Sequence, residues 1–197
     1  MFGERNQESV KKVRNYAQKK TKRYHEQDPG KVKEFKEKIA TVPPDRIAYV
    51  DESGIDNYLY REYGWSQRGE KIYARISGKK YRRTGIVAAK MGKEIIEPLQ
   101  YGGTMDSLLF EAWFELRLLP ALPLNTTIVM DNASFHRKSR LIAIAEKHGH
   151  TILFLPPYSP ELNPIENFWS WLKARLRNIL HRFDSFDDAL SDCFQVR

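Results

Sequence analysis

Two short apolar runs of β-favouring residues each end on an aspartate. Ile47-Ala48-Tyr49-Val50 leads into Asp51, and Thr127-Ile128-Val129-Met130 leads into Asp131. Runs of four or five apolar residues bounded by polar ones read as buried strands. If the two strands are neighbours, the sheet gathers acidic groups at one end. A third carboxylate, Glu166, stands in Asn163-Pro164-Ile165-Glu166-Asn167, at the expected start of a helix. Short Asp side chains keep their oxygens close to a rigid strand, and a Glu on a helix across a cleft reaches farther. Three carboxylates packed together would repel, by about 4 kcal/mol for a pair at ~4 Å in an effective dielectric near 20. A divalent cation removes that repulsion. Mg²⁺ binds through a few carboxylate oxygens, and two-metal sites place their ions roughly 3.5–4 Å apart.

Each acid also has a plainer reading. Asp131-Asn132 after a strand is compatible with a turn or a helix N-cap. Asn163, Pro164 and Glu166 match a capping box with Pro at the first helical position. Asp51-Glu52 is compatible with a solvated strand end. It is the joint pattern that favours a site.

The remaining elements follow from periodicity and punctuation. Residues 7–26 read as a basic amphipathic helix with Val10, Val13, Tyr16, Ala17 and Tyr24 on one face. Asp28-Pro29 caps and opens a second helix carrying Val32, Phe35 and Ile39, which Pro43-Pro44 ends. The division between a basic helical arm or linker, 1–44, and a catalytic body, 45–197, is set there. Residues 54–83 hold many aromatics and a basic stretch without clear periodicity. Thr84–Lys90 and Glu94–Gln100 read as a hairpin around Met91-Gly92-Lys93. Thr104 is the expected cap of a helix to about Leu119, with Leu108, Leu109, Ala112, Trp113, Leu116 and Leu119 buried. Then follow strand 126–130, a helix from His136 to Gly149, strand 151–155, a Pro-rich loop, a helix from Pro164 to about Leu180, and a short helix near 185–195. Three early strands with short connections, followed by alternation of helix and strand, predict a mixed α/β sheet with helices on its faces.

Charge points to an anionic partner. The net charge is +8, and it is uneven: residues 1–44 carry 12 Lys/Arg against 6 Asp/Glu. Residues 71–83, KIYARISGKKYRR, carry six basic residues and no acidic one, so Lys79, Lys80, Arg82 and Arg83 are candidate phosphate contacts. A charged, solvated hairpin edge explains them as well. Lys173, Arg175 and Arg177 follow the Glu166 helix start and could track a backbone. Cys193 is the only cysteine, which excludes an internal disulfide and fits a reducing compartment. No apolar stretch approaches the ~20 residues of a membrane span, and the charged N-terminus lacks a signal-peptide core. A cytoplasmic, nucleoid-associated protein fits these features.

The strings YVDESG, IVMDNASFH and LPPYSPELNPIENFWSWLKARL resemble the catalytic signatures of DDE transposases, and more narrowly the bacterial insertion-sequence branch of the mariner superfamily. The 34 residues between Asp131 and Glu166 (166 − 131 − 1) match that branch, and the likeness runs over about residues 45–180. The resemblance implies an RNase H-like mixed five-stranded sheet in the order 3-2-1-4-5. It implies Asp51, Asp131 and Glu166 as catalytic metal ligands, with Asp131 bridging two Mg²⁺ or Mn²⁺ ions. Asn132 and His136 lie in the matching string, where either could position a phosphate or water; for His136 a helix-start histidine that holds a loop is the plainer reading. The implied activity is nicking of double-stranded DNA at the terminal inverted repeats of a mobile element. Transfer of the freed 3′-hydroxyl into target DNA follows, performed by a homodimer on DNA. Such transposases carry helix-turn-helix modules ahead of the catalytic domain. Forty-four residues do not hold two of them, so the chain reads as the second-frame product of a two-frame element, or a shortened copy, served by a separately encoded helix-turn-helix subunit or upstream frame. Two other readings stay open: an RNase H-like cellular nuclease, and a decayed or domesticated copy that binds DNA or a partner without chemistry.

Overall fold

The computed structural model describes residues 24–56, 59, 66–67, 69–71, 73, 78 and 83–195. Helix α1 (Pro29–Ala40) starts as its sequence dictates: the Asp28 carboxylate accepts from the N–H of Gly30 and Lys31, and Pro29 occupies the first turn. Strand β1 (Ile47–Asp56) follows, then β2 (Arg83–Met91) and β3 (Glu94–Gly102). The β2–β3 turn is Gly92-Lys93, with Gly92 at φ 56°, which glycine takes without a steric cost. Next come α2 (Ser107–Trp113), a π-helical turn Phe114–Leu118, and a last α turn α3 (Leu119–Ala121). The chain continues with β4 (Thr127–Met130), α4 (Lys138–Lys147), β5 (Thr151–Phe154), α5 (Ile165–Ile179) and α6 (Phe186–Gln195). Of the expected helix 7–26, only residues 24–26 are described, and they belong to a turn closed by the Gln27 N–H on Tyr24 O at 3.2 Å. Tyr58, Tyr60, Tyr63 and Trp65 lie outside the described residues, as do Lys79, Lys80 and Arg82.

The five strands form one sheet in the order β3-β2-β1-β4-β5. β1 pairs antiparallel with β2 and parallel with β4, so the acid-bearing strands are adjacent. Both faces are covered. Ala48, Val50, Val87, Ala89, Ile128 and Met130 pack with Phe110, Trp113, Phe114, Leu118 and Leu141 from α2, the π turn and α4. On the opposite face, Ile55, Ile86 and Ala88 pack with Ile165, Trp169, Leu172 and Leu176 of α5 and with Phe186 and Leu190 of α6. Coverage on both sides explains why β2 reads as a continuous buried run rather than an alternating one. Phe35 of α1 is buried with Ile47, Val129 and Leu155.

Four expectations need correction. β1 does not stop at Asp51: its antiparallel ladder runs on to Asp56 opposite Arg83, while its parallel ladder with β4 covers only Ile47–Tyr49. Asp51 therefore sits where β1 has lost one neighbour and kept the other. The cap of α2 is Asp106, whose carboxylate accepts from Leu109 N–H at 2.8 Å, and not Thr104. The buried stripe of that segment is Phe110, Glu111, Trp113, Phe114, Leu118 and Leu119, whereas Leu108, Leu109, Ala112 and Leu116 are exposed. A widened turn before Pro120, in which Leu119 N–H reaches back five residues to Phe114 O, shifts the register for Leu118 and Leu119. Pro120 has no N–H to offer, and a π turn shifts the register where the α ladder loses a donor. The helix expected from His136 begins at Lys138, after a turn in which His136 N–H bonds Ala133 O.

Candidate active site

Asp51, Asp131 and Glu166 line one cleft of about 580 Å³, together with Asn132, Asn163 and the Pro156–Pro160 loop. Each arrives from a different element: Asp51 from the middle of β1, Asp131 from the residue after β4, and Glu166 from the first turn of α5. Side chains alternate along a strand, so Asp51 shares the α5 face with Tyr49 and Ile55, and Glu52 points to the opposite face with Val50. The contacts agree. Trp169 on α5 donates its indole N–H to Asp51 Oδ2 at 2.9 Å, while Glu52 meets His136.

Asp51 is the electrostatic centre of the cleft. Burial, then the neighbouring charges of Glu166 and Glu52, push its carboxyl from 3.8 up to about 8, against the lowering effect of the Trp169 hydrogen bond; Asp131 adds a smaller push in the same direction. Asp131 is half-exposed and held by one oxygen. Its Oδ1 accepts the Ala133 N–H at 2.9 Å, the turn that short acidic side chains favour after a strand. Among the described residues its Oδ2 has no hydrogen-bond partner. Glu166 is exposed, and the capping-box alternative is not realised. No side chain caps the start of α5; the Asn163 amide instead points toward Val50 O at 3.5 Å, and its Oδ1 is buried without a partner.

The residues expected around the acids fall into distinct positions. Asn132 is fully engaged: its amide nitrogen donates to Leu155 O at 2.6 Å, and Lys138 donates to its Oδ1. It ties the β4–α4 loop to the end of β5. His136 is buried, with a side chain 1% exposed, and lies 3.5 Å from Glu52 Oε1 through Nε2 and 3.5 Å from Asp131 Oδ1 through Nδ1. Glu52, Asp131 and His136 each bring a metal-ligand atom within 4.8 Å of the others, a donor set suited to a divalent cation. Arg83 begins β2, its side chain lying across Gly54, where a Cβ would come within 2.2 Å of its Nε. Arg175 is bonded to Asp192 of α6 at 2.9 Å and lies over the Trp171 ring. Lys173 lies on the same helix and is half-buried.

Two contributors escaped the sequence reading. Trp169 is both core and hydrogen-bond donor; the signal was its i+3 spacing from Glu166, which puts the two on one face of α5. Glu111 is buried and takes both Nε and Nη2 of Arg137 at 2.6 Å, with Arg140 at 2.7 Å. This bidentate pair fixes α4, and with it the loop from Asp131 to His136, against α2. Nothing in its local sequence marks Glu111, because the pairing joins residues 26 positions apart.

Residues 46–189 match the family model of the DDE superfamily endonuclease. The protein y4pE/y4sA of Sinorhizobium fredii, itself uncharacterised, is 34% identical over 74 residues, which are 35% of this chain and 48% of that one. Among solved structures, the Mos1 transposase paired-end complex with left transposon end is similar with a TM-score of 0.71 at 16% identity, over 94% of this chain and 60% of that one. The Mos1 mariner paired end complex with Mn has a TM-score of 0.72 at 19% identity, over 91% and 60%. The Mos1 catalytic domain with Raltegravir and Mg gives 0.58 at 16%, over 85% and 80%. At these identities the likeness establishes the RNase H-like fold. The chain spans about 60% of the length of the paired-end Mos1 chains.

Proposed function

This chain belongs to the DDE superfamily endonucleases, matched over residues 46–189, and from that premise we propose that it is a transposase catalytic domain of the mariner type, in its bacterial insertion-sequence branch. It nicks double-stranded DNA at the ends of a mobile element and joins the freed 3′-hydroxyl to target DNA. The observation that carries this reading is the convergence of Asp51, Asp131 and Glu166 on one cleft, with Asp51 pushed up to about 8 by burial and by its anionic neighbours. Such a centre is poorly suited to stand alone and well suited to a divalent cation. The donor set fits Mg²⁺ or Mn²⁺, two ions per site: three carboxylates, each with at least one oxygen that accepts no hydrogen bond from a described residue. Bound there, the cations supply activation of the attacking oxygen and charge stabilisation of the leaving one.

The chain's own residues orient and exclude. Trp169 fixes the rotation of the Asp51 carboxylate, and Ala133 N–H fixes that of Asp131. Glu166 reaches into the cleft from the first turn of α5. The bond broken is the P–O3′ bond of a phosphodiester. Water is the first nucleophile and the freed 3′-hydroxyl the second, so no covalent enzyme intermediate forms. Positioning and charge stabilisation carry most of the rate. Supporting proposals follow from the same reading. Arg83, with Lys79, Lys80 and Arg82, contacts phosphates, as does Lys173. The body 45–197 works with the arm 1–44 as a dimer on DNA. Recognition of the element ends is supplied by a helix-turn-helix unit from an upstream frame or separate subunit.

The test is nicking of supercoiled plasmid with Mg²⁺ or Mn²⁺, followed by a strand-transfer assay with a pre-cut end. Asp131→Ala should lower nicking by about 10³-fold. Undiminished activity in that variant removes Asp131 from the mechanism. Cutting without joining favours the cellular-nuclease reading. Neither cutting nor joining, with DNA binding intact, favours a non-catalytic copy.

A further inference from the structure

We propose that Glu52 and His136 are positioning residues: the His136 imidazole, wedged between two carboxylates, holds Asp131 so that its free oxygen faces the cation. The inference rests on the metal reading of Asp131 given above.

Three observations lead to it. First, His136 is a buried imidazole whose two ring nitrogens form no regular hydrogen bond, and Glu52 Oε1 is a buried carboxylate oxygen in the same position. Buried polar groups left this way are costly and need a reason. Second, the two 3.5 Å contacts use opposite nitrogens, Nε2 toward Glu52 and Nδ1 toward Asp131. Two nitrogens on opposite sides of a ring do not converge on one cation. The imidazole stands between the carboxylates and links them. Third, the Asp131 oxygen that His136 faces is Oδ1, which already accepts the Ala133 N–H at 2.9 Å. Both contacts restrain the same oxygen and leave the other without a hydrogen-bond partner among the described residues.

The ring itself is held by packing. Its centroid lies 4.4 Å from that of Phe110 and 4.3 Å from that of Phe135. The Phe110 contact comes from α2, the Glu52 contact from β1 and the Asp131 contact from the end of β4, so the imidazole reads the position of three elements at once. A separation of 3.5 Å is longer than a mature N–H···O bond. Hydrogen bonds at catalytic sites are often long before loading and tighten afterwards, so the Nδ1 contact should shorten as Asp131 takes up its cation. Partners of this kind, one step removed from the metal, typically change its affinity by about 10- to 100-fold.

The experiment measures Mn²⁺ binding to the full chain by the EPR signal of free Mn²⁺, without substrate. Wild type, Asp131→Asn, His136→Phe and Glu52→Gln are compared. Phe refills the aromatic niche without nitrogens, so a purely packing role for His136 predicts unchanged affinity. Positioning predicts weakening by about 10- to 100-fold in His136→Phe and in the same direction in Glu52→Gln, with the far-UV circular dichroism of wild type. The second measurement needs no variant that could misfold: ¹⁵N imidazole resonances of His136 in wild type should move on Mg²⁺ addition, and stay fixed in Asp131→Asn. If wild type and Asp131→Asn differ as expected but His136→Phe binds as wild type and its native resonances ignore Mg²⁺, this inference is overturned while the metal reading stands. If wild type takes no Mn²⁺, or Asp131→Asn takes it equally well, the metal reading itself falls and this one with it.

Discussion

The three acids differ most in their surroundings, and that difference has consequences at the level of the single residue. Asp51 is partly buried, and its carboxyl is pushed from 3.8 to about 8 by burial and by Glu166 and Glu52. Without cation, the folded chain holds a proton here that the unfolded chain releases. Its stabilising contribution is therefore complete below 3.8 and disappears as pH rises through about 8. Metal-free protein should lose melting temperature between about pH 4 and 8, and the rise produced by Mg²⁺ should grow over the same interval. Asp51→Asn should flatten both curves in scanning fluorimetry; a wild-type curve already flat over that range would contradict the burial argument. The positions of the acids were legible because each follows or opens a recognisable element. The environment that sets Asp51 apart was not. It depends on Trp169 from a helix 118 positions away and on where a parallel ladder stops.

At the scale of the element, the segment 104–121 shows why periodicity located a helix but misassigned its face. It carries two apolar stripes at helical spacing: Leu108, Ala112 and Leu116, and Phe110, Phe114 and Leu118. Either satisfies a 3.6-residue repeat. The larger aromatic pair took the core, and the π turn before Pro120 kept Leu118 and Leu119 inside with it. Truncation should separate the two stripes. Leu118→Ala, at a fully buried position, should cost about 2–5 kcal/mol, and Leu116→Ala, at 72% exposure, less than about 0.5 kcal/mol. Urea unfolding followed by circular dichroism measures both. Equal losses would mean that the Leu108–Leu116 stripe is covered in solution. Helix α5, by contrast, was readable in position, and it buries a single stripe, Ile165, Trp169, Leu172, Leu176 and Ile179.

The whole molecule is organised by one sheet whose order follows from simple rules: a hairpin laid beside the first strand, then two parallel additions on its other edge. The hairpin and the later alternation of helix and strand were visible in the spacing of apolar runs and turn residues, whereas the strand order was implied only by the family resemblance. The seating of α1 was not visible there, since Phe35 meets Ile47, Val129 and Leu155 only in three dimensions. Phe35→Ala should lower stability by about 3–5 kcal/mol while leaving a single unfolding transition; a negligible loss would mean that α1 is only loosely attached. Gln27 adds a second tie, donating to Ser159 Oγ at 2.9 Å and to Glu161 on the loop that borders the cleft. The bond between the Trp169 indole and Asp51 also gives the protein a use beyond chemistry. An indole whose N–H rests on a carboxylate senses any charge placed on that carboxylate, and among the described tryptophans Trp113 donates instead to the backbone oxygen of Glu97. Ultraviolet emission of this four-tryptophan chain should therefore carry a component that changes when a cation enters the cleft and that is lost in Trp169→Phe.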